Sequence, residues 1–163
     1  MSKKYNVAVV GANGAVGEEI LAVLQEIDFP LNKLIPLASA RSLGKTVSFH
    51  GKDLPIIELT KTVFEEQEVE IALFSAGGAV TAEFASYAVK AGAVVIDNTS
   101  HYRMDPKVPL VVPEVNPEDI ALWKNTGIIA NPNCSTIEMV QTLKPLDTAY
   151  DLVRVDVSTY QAT

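Results

Sequence analysis

The segment Val7-Ala8-Val9-Val10-Gly11-Ala12-Asn13-Gly14-Ala15-Val16-Gly17-Glu18-Glu19-Ile20 constrains the fold more than any other stretch of the chain. A β-branched run halts at glycine. Two more glycines follow at three-residue spacing, and a helical pattern opens at once, with apolar residues from Ile20 to Ile27 and glutamates on the opposite face. A strand, a tight glycine turn and a helix in that order form the phosphate-binding start of a dinucleotide fold. The turn needs backbone freedom, close approach to a pyrophosphate, and helix-on-strand packing, and the first amides of the helix face the anion. The spacing is G-x-x-G-x-x-G, a variant of the usual fingerprint, and it marks Gly11, Gly14 and Gly17 as the glycines of the expected phosphate-binding turn.

The rest of the chain alternates in the same way. Strand-like runs are expected at Lys33–Ala38, Glu70–Ser75, Ala93–Asp97 and Gly127–Ala130. Helices are expected at Thr81–Ala91, at Pro117–Asn125 with Asn116 as cap, and at Ile137–Leu143, stopping before Pro145. Pro36 inside the second strand implies an edge or an irregularity. Two short runs, Lys45–Phe49 and Leu54–Leu59, flank His50-Gly51-Lys52-Asp53 and predict a hairpin. Leu152–Tyr160 alternates apolar and polar residues and predicts a half-buried antiparallel strand. The fold class expected is α/β, Rossmann-like: a mostly parallel sheet with flanking helices, plus the first helix and strand of a second, incomplete domain. The expected division is a cofactor domain over residues 1–130 and a nucleophile loop, helix and strand over 131–163.

At the end of the second strand, where NAD-specific sites carry an acidic residue for the ribose hydroxyl, the chain reads Leu37-Ala38-Ser39-Ala40-Arg41-Ser42. Two hydroxyls and an arginine suit a 2′-phosphate, so the expected cofactor is NADP. The only cysteine stands in Asn131-Pro132-Asn133-Cys134-Ser135-Thr136, between a strand and a helix. There the positive end of the helix favours a thiolate, at the sheet edge where ligands bind. A cysteine nucleophile beside a nicotinamide suggests acyl transfer through a thioester coupled to hydride transfer. That chemistry needs a base, and neither of the two histidines, His50 in the hairpin turn or His101 after the strand at 93–97, is a convincing one.

Net charge is -7, and the basic residues are scattered, so no nucleic-acid footprint is visible. The apolar runs fall far short of the ~20 residues that span a bilayer. One cysteine allows no internal disulfide and fits a reducing compartment. A cytoplasmic protein with no metal site is expected.

Together, "VAVVGANGAVG", "LASARSLGK", "SAGG", "VVIDNTSHYRMD", "PLVVPEVNP", "ANPNCSTI" and "VSTYQA" resemble the bacterial aspartate-semialdehyde dehydrogenases, in the family's order and across essentially the whole chain. The resemblance implies reversible, NADPH-driven reductive dephosphorylation of aspartyl-4-phosphate to aspartate-4-semialdehyde and phosphate, a step toward lysine, methionine and threonine. It implies Cys134 as nucleophile, with Asn133 beside it. Arg103 would hold the phosphate, Gln161 would orient the substrate, Gly11, Asn13, Gly14, Ala15, Val16 and Gly17 would form the pyrophosphate loop, Ser39, Arg41 and Ser42 would meet the 2′-phosphate, and Ser75, Gly77 and Gly78 would line the cofactor groove. It also implies a homodimer or homotetramer for the full-length form. Two departures stand out. Glu138 replaces the family's usual glutamine, where it either opposes the thiolate or lies outside the site. The family's base-bearing half would follow residue 163, so this polypeptide alone is expected to turn over little or not at all. Two other readings share these residues: another cysteine-nucleophile reductase, of the N-acetylglutamyl-phosphate type, and a non-catalytic NADP-binding module.

Overall fold

Six parallel strands make the sheet, in the order β5 (Ile57–Glu58), β2 (Leu31–Ala38), β1 (Tyr5–Val10), β6 (Ile71–Phe74), β7 (Val94–Asp97) and β8 (Ile128–Ala130). The computed structural model describes residues 3–161; Met1, Ser2, Ala162 and Thr163, at the outer limits of the two expected domains, lie outside the described residues. Strands β3 (Thr46–Phe49) and β4 (Lys52–Pro55) form a separate antiparallel hairpin. The helices are α1 (Ala15–Glu26), α2 (Val63–Glu66), α3 (Gly78–Lys90) and α4 (Cys134–Tyr150), with 3-10 turns at Ala40–Ser42 and Pro117–Asn125.

The strand sequences are nearly continuous apolar runs because a parallel sheet is covered on both faces. Side-chain alternation divides them between two cores. Ala8, Val10, Ile35, Leu37, Phe74 and Val95 join Phe64 of α2 and Ala85 and Ala88 of α3 on one face. Val7 and Val9 join Leu21 and Leu24 of α1, and Val47 and Phe49 of the hairpin, on the other. Full burial of each large side chain contributes ~1.5–3 kcal/mol, and Phe64 and Phe74, both fully buried, stack with ring centroids 6.1 Å apart. Helix α3 lies close to the sheet because its buried stripe is Thr81, Ala85 and Ala88, all small. It stops at Gly92, whose φ of 92° continues no helix.

Several expectations need correction. The run 54–59 is not one hairpin arm. Leu54 and Pro55 pair with Val47 and Thr46, after which Ile57 and Glu58 leave to extend the main sheet beside Leu37 and Ala38. The hairpin turn itself is only His50 and Gly51, both at positive φ, the geometry that matches strand twist. Pro36 is buried and pairs with Val9 on one side, while β5 begins pairing only at Leu37, so its missing N–H costs no ladder bond. Asn116 holds the N-cap position of the 3-10 turn as expected, but its side chain makes no capping bond. Its side chain accepts from the Val112 amide and donates to the Leu110 carbonyl and Asp119, bracing the loop before it. Helix α4 begins at Cys134 and runs through Pro145 to Tyr150. One proline removes one ladder bond, and the turn beyond it is held by Thr148 donating to the Lys144 carbonyl. Residues 151–161 form no strand: they are exposed and pair with none of the described strands, since alternation specifies a face and not a partner.

Candidate active site at the carboxyl edge of the sheet

The sheet order reverses between β1 and β6: β2 and β5 lie to one side, β7 and β8 to the other. In such sheets ligands enter the crevice at the carboxyl ends of the strands on either side of the reversal. All the expected site residues up to Cys134 lie in segments that leave this edge.

The glycine turn leaves β1 here. Gly11, at φ 89°, and Ala12 both donate to the Leu37 carbonyl, and Gly14 donates to the Gly11 carbonyl. A Cβ on Gly17 would overlap that same carbonyl oxygen and stand 2.8 Å from the Ala12 Cα, so only glycine lets α1 start this close to the turn. The amides of Asn13, Ala15, Val16 and Gly17 have no acceptor among the described residues, and Gly14, Ala15 and Val16 are exposed. They form a row of donors at the positive end of α1, suited to a pyrophosphate. Asn13 donates through Nδ2 to the Ser42 hydroxyl at 3.0 Å, which ties this turn to the 3-10 turn after β2. Ser42 is buried and accepts that bond through its oxygen, whereas Ser39 and Arg41 are exposed beside it.

After β6, Ser75 anchors twice to the Val10 carbonyl, through its amide and its hydroxyl, both at 2.9 Å. The next residue, Ala76, packs so closely on Gly11 that a Cβ there would meet it at 3.1 Å. Gly77, at φ 92°, precedes α3, and Gly78 opens the helix next to Ser100 and His101 of the loop after β7. Thus the loops after β1, β6 and β7 touch in sequence along the edge.

Arg103 is half-buried between the ends of β7 and β8. Its Nε donates to the Asn131 carbonyl at 3.0 Å and its Nη2 to the Asn98 carbonyl at 3.1 Å, while Nδ2 of the Asn131 side chain donates to Asn98 Oδ1 at 2.6 Å. Asn98 and Asn131 escaped sequence reasoning. The signal was an asparagine at the carboxyl end of each of two strands, but their pairing depends on β7 and β8 being neighbours. An apolar groove of about 410 Å³ joins the two ends of the site, lined by Val16 and Ile20 of α1, Ile96 of β7, Asn98 and Asn131.

Asn133 caps α4: its Oδ1 accepts from the Ser135 amide at 3.1 Å and from the Ser135 hydroxyl at 2.8 Å. Cys134 is the first residue of the helix and is exposed. Gln161 returns along the exposed chain, and its Nε2 donates to the Cys134 sulfur at 3.0 Å. Glu138 is exposed on α4, four residues beyond Cys134 and so on the same face. Neither His50 nor His101 hydrogen-bonds Cys134 among the described residues. His50 lies in the hairpin turn and His101 stacks edge-on against Tyr102. Burial raises the Tyr102 phenol above its ordinary value, and Asp97 and Asp105 add to the shift. No cluster of metal-ligating side chains occurs among the described residues, and no helix there is long and apolar enough to cross a membrane.

The family model described as "Semialdehyde dehydrogenase, NAD binding domain" matches residues 6–123. Aspartate-semialdehyde dehydrogenase of Campylobacter jejuni is 65% identical over 162 residues, covering 99% of this chain and 47% of that protein. A crystal structure of aspartate semialdehyde dehydrogenase II of Vibrio cholerae, complexed with ASA, superposes with a TM-score of 0.86 at 55% identity, over 90% of this chain and 47% of its own. The Candida albicans aspartate semialdehyde dehydrogenase with NADP superposes with a TM-score of 0.72 at 29% identity, over 90% of this chain and 47% of its own. The chain spans about half the length of the curated relatives it matches. Its parallel sheet, its glycine turn and this degree of sequence identity make the chain a member of the semialdehyde dehydrogenase NAD-binding domain family.

Proposed function

We propose that the chain carries the cofactor-binding and nucleophile-bearing part of a cytoplasmic, NADP-dependent aspartate-semialdehyde dehydrogenase. In this reading residues 1–130 are the cofactor domain and residues 131–163 contribute to the catalytic part. The whole enzyme reductively dephosphorylates L-aspartyl-4-phosphate, reversibly, as a homodimer or homotetramer. The most direct support is the 3.0 Å contact between the Gln161 amide and the Cys134 sulfur, which brings the expected substrate-orienting group onto the expected nucleophile.

The chain's residues fit a dinucleotide. The unpartnered amides at Asn13, Ala15, Val16 and Gly17 match a pyrophosphate, and a Cβ at Gly17 would close the turn. Ser39 and Arg41 stand exposed where a 2′-phosphate would lie. When bound, NADPH supplies the hydride. The Cys134 sulfur stands in the first turn of α4 and accepts from the Gln161 side-chain amide. The sulfur attacks the acyl carbon, the carbon–oxygen bond to phosphate breaks, and its electron pair leaves on phosphate, so a thioester remains on Cys134. Arg103, its Nε and Nη2 already committed to backbone carbonyls, presents its remaining N–H donors to the departing phosphate. Asn133 holds the helix start that carries the sulfur.

The test is protection of Cys134 from iodoacetamide, read by mass spectrometry. Aspartate semialdehyde with NADP should shield the thiol, and N-acetylglutamate semialdehyde should not. Equal shielding by both favours the acetylglutamyl type. No shielding by either, together with saturable NADPH binding, favours the non-catalytic module. Since neither histidine hydrogen-bonds Cys134 among the described residues, this polypeptide alone is expected to yield little NADPH from aspartate semialdehyde, NADP and phosphate; robust production refutes that.

A further inference from the structure

Asp97 ends β7 with its side chain wholly buried, and no lysine, arginine or histidine bonds it among the described residues. A buried carboxylate is costly unless its oxygens are satisfied. The oxygens are satisfied by one small cluster. Thr81 Oγ1 and the Thr99 amide donate to Oδ1, each at 3.0 Å, and Thr99 Oγ1 donates to Oδ2 at 3.0 Å. Each hydroxyl has one proton, and both protons go to the carboxylate. The 3.2 Å approach of the two threonine oxygens is therefore close packing within the cluster. The Thr99 oxygen keeps its lone pairs and accepts from the His101 amide at 3.3 Å.

Each partner of this cluster belongs to a different part of the site. Thr81 lies in the first turn of α3, and its amide donates to the Gly77 carbonyl. Thr99 shapes the loop that carries Asn98, whose carbonyl holds Arg103 Nη2 and whose Oδ1 holds the Asn131 side chain. The Asp97 carbonyl accepts from the Asn131 amide at 2.8 Å, and the Asn131 carbonyl in turn holds Arg103 Nε. Both carbonyls that aim the Arg103 guanidinium are thus fixed within one bond of Asp97.

We propose that Asp97, through Thr81 and Thr99, is a positioning residue that locks the guanidinium of Arg103 to the first turn of α3. The consequence rests on the function proposed above: an anion held by Arg103 then keeps a fixed distance from a cofactor at Gly77 and Gly78.

The chain's arginines are Arg41, Arg103 and Arg154, so 15N-arginine spectra assign each Nε–H through single Arg→Lys variants. In the unmodified chain the Arg103 Nε–H should exchange with solvent about tenfold more slowly than that of exposed Arg41, the difference one net hydrogen bond makes. Thr99→Val, which deletes a hydroxyl at nearly constant volume, should accelerate that exchange about tenfold, with Asp97→Asn in the same direction and Thr99→Ser restoring the slow rate. In Thr99→Val, inorganic phosphate should shield Cys134 from iodoacetamide less well, while NADPH affinity stays unchanged. Exchange at Arg103 that is the same in Asp97→Asn, Thr99→Val and the unmodified chain overturns the proposal. So does faster exchange accompanied by an equal loss of NADPH affinity and thermal stability, which marks a role in core stability only. Failure of phosphate to shield Cys134 in the unmodified chain removes the anion role of Arg103 and with it the proposed function, and the exchange rates then decide the positioning role alone.

Discussion

The Gln161 side chain donates a hydrogen bond to the sulfur of Cys134 at 3.0 Å, although 27 residues separate the two. Between them run α4, which buries none of its residues, and an extended segment with no sheet partner. The contact therefore closes a loop of exposed chain on the one group in the molecule able to act as a thiolate nucleophile. The amide dipole and the start of the helix act on the sulfur in the same sense.

Replacing Gln161 by leucine removes that donor and leaves the helix start intact. Alkylation of Cys134 by iodoacetamide at fixed neutral pH should slow about threefold, the modest effect expected for one exposed hydrogen bond. Gln161→Glu should slow it further by placing a negative charge against the sulfur. An unchanged rate in both variants means that the contact does not influence the thiol.

Gly17 is limited by space rather than by dihedral preference. Its missing Cβ accommodates the Gly11 carbonyl and the Ala12 backbone. Gly17→Ala must push α1 away from β1 or distort the turn, at a cost of ~1–3 kcal/mol by the usual range for overpacking. The displaced amides should also weaken NADPH binding by about tenfold or more, as ~1.4 kcal/mol of lost contact implies. Denaturant unfolding and a fluorescence titration report the two effects separately. A variant with native stability and native affinity shows that the close approach is irrelevant.

What the residues revealed in advance was local or doubly buried. The strands β1, β6, β7 and β8 were legible because a parallel strand covered on both faces is an unbroken apolar word. The glycine turn was legible because all its requirements fall within seven residues. Ile57 and Glu58 were misassigned because a two-residue strand has no period, and only their neighbours Leu37 and Ala38 define it. Leu152–Tyr160 has the period of a strand, yet a period specifies a face and does not provide a partner. The support of Arg103 by Asn98 and Asn131 was invisible because the two asparagines stand 33 positions apart and only the pairing of β7 with β8 unites them. Ser42 has the right chemistry for a phosphate contact, but that its oxygen also accepts from Asn13, 29 positions away, no local pattern announces.

Tyr102 packs against the α3-side core, and its phenol is raised chiefly by burial, then by the charges of Asp97 and Asp105. The unfolded phenol ionises at about 10, and the folded one at higher pH. Above that unfolded value the unfolded state releases its proton first. The stability tied to a neutral Tyr102 is therefore complete below about pH 10 and declines as pH rises beyond it. Tyr102→Phe should remove this component, so that the loss of stability between neutral and strongly alkaline pH is smaller in the variant. Equal alkaline losses in the two proteins show that Tyr102 carries no linked proton.

Arg41 stands exposed in the 3-10 turn that follows β2, and this turn is pinned to the pyrophosphate loop by Asn13 and Ser42. That bond sets the distance between the amides that would hold a pyrophosphate and the guanidinium that would hold a 2′-phosphate. No carboxylate occurs between Leu37 and Ser42 to claim a free ribose hydroxyl, so the preference for NADPH over NADH should rest on attraction by Arg41 rather than on exclusion of NADH. Arg41→Ala should weaken NADPH about 10-fold or more, in the range of a hydrogen bond to a charged group, and leave NADH nearly unchanged. Raised salt should narrow the gap between the two cofactors in the unmodified chain and have little effect on it in the variant, because the interaction is exposed and screened. Paired fluorescence titrations with both cofactors at two ionic strengths make the measurement. If NADPH and NADH weaken by the same factor, Arg41 supports the loop and does not read the phosphate.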